Sequence, residues 1–128
     1  MEIQYEFPPN YAQIKAALPI TEASIYCYGK TLYVPYKQEV PEDIMEHEKI
    51  HVEQQGSTPE AWWEKYLSVP EFRLEMELEA YRAQYKFIKA NYPSKAHKEA
   101  LDELANNLST VYNINMDYFG AHSLIRHG

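Results

Sequence analysis

The stretch Pro41-Glu42-Asp43-Ile44-Met45-Glu46-His47-Glu48-Lys49-Ile50-His51-Val52-Glu53-Gln54-Gln55-Gly56 decides how this chain is read. Nothing between its proline and its glycine breaks a helix. Pro41 suits a first helical position, and Glu42 and Asp43 place negative charge where the helix dipole favours it. Gly56 is a natural stop. Turned at about 100° per residue, Ile44, Met45, Ile50 and Val52 bracket an arc that contains His47, Glu48, His51, Gln54 and Gln55. Glu46, Lys49 and Glu53 fall on the opposite side, with Asp43 at the edge. Two histidines and a glutamate on the inward face of one helix are costly to bury without a partner.

His47 and His51 are four residues apart, so their imidazoles lie one above the other and reach a single ion. Glu48 projects roughly 100° away from His47, close enough to handle a proton on a water at that ion. This spacing is that of helix-borne zinc hydrolase sites, and one zinc ion is the expected cofactor. A pair of hydrogen-bonded core histidines is the structural alternative.

A third ligand has to come from elsewhere in the chain, leaving one coordination position open for water. Cys27 is the only cysteine, which excludes a multi-thiolate site. His97, His122 and His127 read most simply as surface residues. The better source is the acidic run from Pro70 to Asn91, a helix that Ser68 is placed to cap and Pro70 to start. Phe72, Met76, Ala80, Ala83 and Phe87 form one edge of its apolar arc, and Leu74, Leu78, Tyr81, Tyr85 and Ile88 the other. Glu77 falls near the middle with Arg73 and Gln84, whereas Glu71, Glu75 and Glu79 lie outside with Arg82, Lys86 and Lys89. A carboxylate centred in a buried stripe needs a cation, and zinc would supply it. An ion pair with Arg73, four residues earlier, is the alternative.

His-Glu-Lys-Ile-His followed by a helix reading Glu77-Leu78-Glu79-Ala80-Tyr81 resembles the gluzincin metallopeptidases. Over roughly residues 24 to 126, the segments HEKIHVEQQ, AWWEKYL and FRLEMELEAYRAQ also resemble small phage and prophage proteins of the minimal gluzincin kind. The resemblance implies a zincin-like fold in which His47, His51 and Glu77 hold zinc and Glu48 is the general base. The chain departs from the family pattern at Tyr81, where many members carry an aspartate that braces a zinc-bound histidine.

The 128 residues fit one domain, 1–128, with a modest core. Hydrophobic residues make up 45% and charged residues 24%, as in ordinary soluble domains. A net charge of −7 argues against nucleic-acid or anionic-membrane partners. No apolar run approaches membrane-spanning length and no secretory pattern follows Met1, so a cytoplasmic location is expected. The lone cysteine fits a reducing compartment.

Along the chain, Ile3, Tyr5 and Phe7 alternate as a short strand ended by Pro8-Pro9, and Asn10 is placed to cap a helix through about Leu18. Residues 24–28 and 31–34 read as a hairpin around Gly29-Lys30. After the histidine helix come a short helix from Pro59 to Leu67, the Glu77 helix, one over roughly 94–107, and one from Asp117 to Arg126. The expected fold is α+β and mostly helical, with a small sheet ahead of the histidine helix.

The expected activity is peptide-bond hydrolysis on a peptide or protein substrate. Tyr81 is the first choice of donor to the developing oxyanion, with Tyr112, Tyr118 and Arg73 as further candidates. Gln54 and Gln55 either support the ligands or pack, and Trp62 and Trp63 seal the core. Thr31–Val34 is the candidate free strand edge for an extended peptide. A zinc-stabilised binding or regulatory module, or an amidase acting on a non-protein amide, would use the same residues.

Overall fold

Proline and glycine set most of the element boundaries. The computed structural model describes residues 1–21 and 23–128. Strand β1 is Glu2–Gln4, helix α1 is Tyr11–Ala17, and strands β2 (Tyr26–Tyr28) and β3 (Thr31–Tyr33) form a hairpin. Helices α2 (Glu42–Gln55), α3 (Pro59–Ser68), α4 (Pro70–Asn91), α5 (His97–Thr110) and α6 (Tyr118–Arg126) follow, with a 3-10 turn at Ser94–Ala96 before α5. The fold is therefore mostly helical α+β, as the sequence leads one to expect. No helix among the described residues is long and apolar enough to cross a membrane.

Several caps differ from expectation. Pro41 lies just outside α2 as its N-cap, and Gly56 ends the helix at φ 55°. Asn10 precedes α1 without capping it through its side chain. Ser68 belongs to α3 and turns its hydroxyl back to the Glu64 carbonyl, so Val69 is the N-cap of α4 and Pro70 its first residue. A serine mid-chain between two helices has two backbone partners to choose from, and the nearer carbonyl wins here. Asp117 does cap α6, accepting from the Gly120 amide at 2.7 Å.

The sheet order is β1-β3-β2, which overturns the expectation that Thr31–Val34 is a free edge. β1 runs parallel to β3, pairing Glu2 with Thr31, Ile3 with Leu32 and Gln4 with Tyr33. The Val34 amide donates to the Gln4 carbonyl at 2.8 Å and extends that pairing. β2 pairs antiparallel on the other side. Local alternation cannot reveal this order, because β1 is joined to β3 across α1 rather than by a turn. β1 also stops at Gln4, so Tyr5 and Phe7 lie beyond the strand. Gly29 sits at φ 62° and Lys30 at negative φ, the pattern of a two-residue II′ turn that favours glycine in first place.

Two apolar clusters fill the interior. One joins α4, α5 and α6 through Tyr81, Tyr85, Ile88, Leu101, Leu104, Leu108 and Ile125. The other joins α1, the hairpin and α3 through Ile14, Tyr26, Trp62, Trp63 and Tyr66. Tyr112 packs against both. α2 lies along α4, and its fully buried residues are all polar: His47, Glu48, His51 and Gln55. Ile44, Met45, Ile50 and Val52 flank them half-buried.

Gln55, 1% exposed, ties α2 to the hairpin. Its amide nitrogen donates to the Cys27 carbonyl at 2.8 Å and its oxygen accepts from the Gly29 amide at 2.6 Å. Trp63 donates to the same Cys27 carbonyl at 3.0 Å, which leaves that group satisfied if Gln55 is removed. Gln55→Ala then strands the Gly29 amide and opens a small cavity. The expected loss is about 2–3 kcal/mol of folding stability, measured by the shift of the urea unfolding midpoint.

Candidate metal centre

α4 has 22 residues, and one of its stripes is buried from Arg73 to Ile88. Arg73, Glu77, Ala80, Tyr81, Gln84, Tyr85 and Ile88 recur at the three- and four-residue spacing of a single helical face. Glu77 faces the two histidines of α2 from the middle of that stripe. Its Oε1 lies 3.1 Å from His47 Nε2, and its Oε2 lies 3.2 Å from His51 Nε2. The two Nε2 atoms are 3.2 Å apart. All three residues are buried, at 6%, 6% and 3% exposure. They lie close enough together to bind one metal ion. Ligand atoms bonded at about 2.0–2.1 Å to a tetrahedral ion are about 3.3 Å apart, which is nearly the spacing found.

The far ends of the imidazoles fix where their hydrogens are. Gln84 donates its amide nitrogen to Asp43 Oδ2 at 2.9 Å, which turns its oxygen to His47 Nδ1 at 3.0 Å. Gln54 donates to the Met76 carbonyl at 3.0 Å and to Glu79 Oε1 at 3.1 Å, which turns its oxygen to His51 Nδ1 at 2.8 Å. An amide oxygen only accepts, so both Nδ1 atoms carry hydrogen. In the neutral imidazoles both Nε2 lone pairs therefore face Glu77, ready for a cation.

Glu77 is held well below the usual carboxylate range. Burial alone would raise it, and the facing His51 and His47 outweigh that effect. Burial pulls His51 down, but the charge and hydrogen bond of Glu77 push it up to about 9 in the metal-free protein. Tyr66 donates its hydroxyl to Glu77 Oε2 at 2.6 Å. The Tyr81 ring packs edge-on to His47 with centroids 4.5 Å apart, and its hydroxyl is 2.6 Å from that of Tyr112.

Glu48 is 7% exposed and lines the same cleft as the three ligand residues. Burial pushes its carboxyl upward; the histidines oppose this and Glu77 adds to it. Among the described residues no hydrogen bond holds it. The cleft has a volume of about 360 Å³ and is also lined by Tyr26, Cys27, Tyr81 and Tyr112. Cys27 adds no reactive thiolate there, since burial raises its thiol far above the usual range.

The structure thus brings together His47, Glu48, His51, Glu77 and Tyr81, all selected from sequence. Glu71, Glu75 and Glu79 are exposed, and Glu79 accepts from Gln54. Arg73 does not pair with Glu77. Its guanidinium is 3% exposed and donates to the carbonyls of Tyr66, Leu67, Tyr112 and Asn113, so it is no oxyanion donor either. Tyr118 is likewise removed from the site, donating to Asp102 at 2.9 Å. His97 and His122 lie near the Tyr92 carbonyl and Asp102 respectively, and His127 is exposed.

Two supporting residues escaped the sequence reading. Gln84 lies in the central arc of α4 seven residues after Glu77, the one signal that pointed to it. Tyr66 shares the inner face of α3 with Trp62 and Trp63, whose aromatic run hides its hydroxyl among apolar neighbours. Trp62 stacks on Tyr66 with centroids 4.8 Å apart and stands 5.6 Å from His51, so it seals the core beside the ligands. Comparison with protein-family models, with curated proteins and with solved structures finds no match.

Glu77→Ala should abolish tight zinc binding in a chelator competition titration, while Glu75→Ala leaves it unchanged. Glu79→Ala, which frees Gln54 from one of two anchors, should cost less than threefold. Gln84→Ala should weaken zinc about 10–100-fold by releasing the His47 ring.

Proposed function

We propose that this protein is a zinc-dependent hydrolase that cleaves peptide bonds in the cleft beside α2. The carrying observation is the convergence of two Nε2 lone pairs and a carboxylate, next to a buried glutamate that no protein group engages. Two nitrogens and an oxygen are a borderline donor set suited to zinc, and three protein ligands leave a position for solvent. A purely structural site is normally closed by a fourth side chain. When bound, zinc supplies Lewis acidity and brings the pKa of a water towards about 7.

The residues of the chain divide the remaining work. Glu48 accepts a proton from the attacking water and passes it to the leaving nitrogen. Burial raises its pKa above the usual carboxylate range, the direction that suits a group which must both take and return a proton. Gln84 and Gln54 keep the imidazoles turned inward. In the Tyr81–Tyr112 pair one hydroxyl donates to the other, which leaves one hydrogen free to meet negative charge developing on the substrate. Both tyrosines line the cleft. Gln55 and Trp63 cover the outer edge of β2 at Cys27, so an extended substrate would lie along Ser24 and Ile25 just before it, which line the cleft.

Glu48→Gln is expected to keep zinc and the fold while stopping hydrolysis. Metal analysis, circular dichroism and cleavage of a quenched peptide pool read the three quantities. Tyr81→Phe should slow cleavage by roughly a hundredfold with zinc content intact. Undiminished activity in Glu48→Gln would remove the catalytic reading and leave a zinc-stabilised module.

A further inference from the structure

The cleft is one-sided in charge. Among the described residues that line it, Asp43, Glu48, Glu77 and Glu103 are acidic, and none is lysine or arginine, although the chain carries 12 such residues. With a divalent ion bound, Glu48 and Glu77 balance its charge. Asp43 and Glu103 remain over.

These two stand on different walls. α4 packs against both α2, which carries Asp43, and α5, which carries Glu103. Asp43 is engaged by Gln84 at one oxygen only. On α5, Ala100, Glu103 and Asn107 share one face, and all three line the cleft. The neighbouring Asp102 points elsewhere: Tyr118, Lys98 and His122 surround it. Glu103 has no such company among the described residues. It is exposed to the cleft mouth, and its charge acts on the Tyr81 hydroxyl. The cleft is a built site and not merely an acidic surface, because the unengaged, 7%-exposed Glu48 points into it.

We propose that the cleft selects substrates bearing a cationic group, an amine or guanidinium, close to the scissile bond, and that Glu103 binds that group. The inference rests on the hydrolase reading above and names its substrate class. A cation entering the rim keeps part of its hydration, so its pairing with Glu103 gives a preference of roughly threefold to fivefold. The surplus negative charge of Asp43 adds a long-range pull that salt weakens. Glu103 is a specificity residue and takes no part in the proton transfers.

The test uses binding, so that it does not depend on turnover. Zinc-loaded full-length Glu48→Gln protein is titrated by fluorescence anisotropy against acetylated, amidated peptides that differ only in a central Lys, Gln or Glu. The Lys peptide is expected to bind roughly threefold to fivefold tighter than the Gln peptide, and the Glu peptide weakest. Adding Glu103→Gln should bring Lys and Gln within about twofold at unchanged zinc content, and Glu103→Lys should invert the order. A Gln peptide with a free amino terminus separates an α-amine from a side chain as the preferred cation. Equal binding of Lys and Gln peptides, a Lys preference that survives Glu103→Gln, or no binding of any peptide would each overturn the inference. Cleavage by the Glu48 protein is scored separately, so loss of the hydrolase reading is seen on its own.

Discussion

Nε2 of His47, Nε2 of His51 and the carboxylate of Glu77 meet at 3.1–3.2 Å, and lone pairs at that distance repel unless a cation stands among them. A proton answers this in part, and Glu77 holds one on His51 when no metal is present. One proton, however, bridges one pair of atoms, whereas a divalent ion bonds to all three. The convergence is enforced from outside. Two glutamine amides, each pinned at its other end, direct the imidazole hydrogens away from the centre. The protein thus spends five buried or half-buried polar side chains on presenting acceptors to one point, an arrangement suited to a cation.

That constraint shapes the fold around it. The cluster lies at the seam of two apolar clusters, with Tyr66 in one and Tyr81 in the other. α2 contributes no fully buried apolar side chain. Its attachment rests on polar groups, the ligands towards α4 and Gln55 towards the hairpin. Helices in small domains ordinarily dock through an apolar stripe, so a metal bound between α2 and α4 would add to the docking free energy. Its binding and the seating of α2 would then be one linked equilibrium.

Much of this was legible in the chain. The spacing of His47, Glu48 and His51 fixes their common face, and the angular position of Glu77 separates it from three other glutamates within nine residues. These are properties of one helix, set by its period, and the structure places them as expected. What was hidden depends on contacts between elements. Arg73 looked like a partner for Glu77 because both lie on one stripe, yet its guanidinium serves four carbonyls in the last turn of α3 and the segment after α5. The order of the sheet depended on a parallel pairing across α1, which no local alternation encodes. Tyr66 and Gln84 became supports only through the packing of α3 and α2 on α4.

The identity of those supports bears on the chemistry. A carboxylate behind a metal-bound histidine raises the donor strength of the ring and draws charge off the ion. In this chain the residue one turn beyond Glu77 is Tyr81, and Asp43 reaches His47 only through the neutral amide of Gln84. His51 too is met by an amide, and Glu77 gives up part of its negative charge to the Tyr66 hydroxyl. Every ligand is held by a neutral group that orients it without strengthening it. An ion bound in such a site would keep more of its positive charge and be held less tightly than the geometry alone would allow.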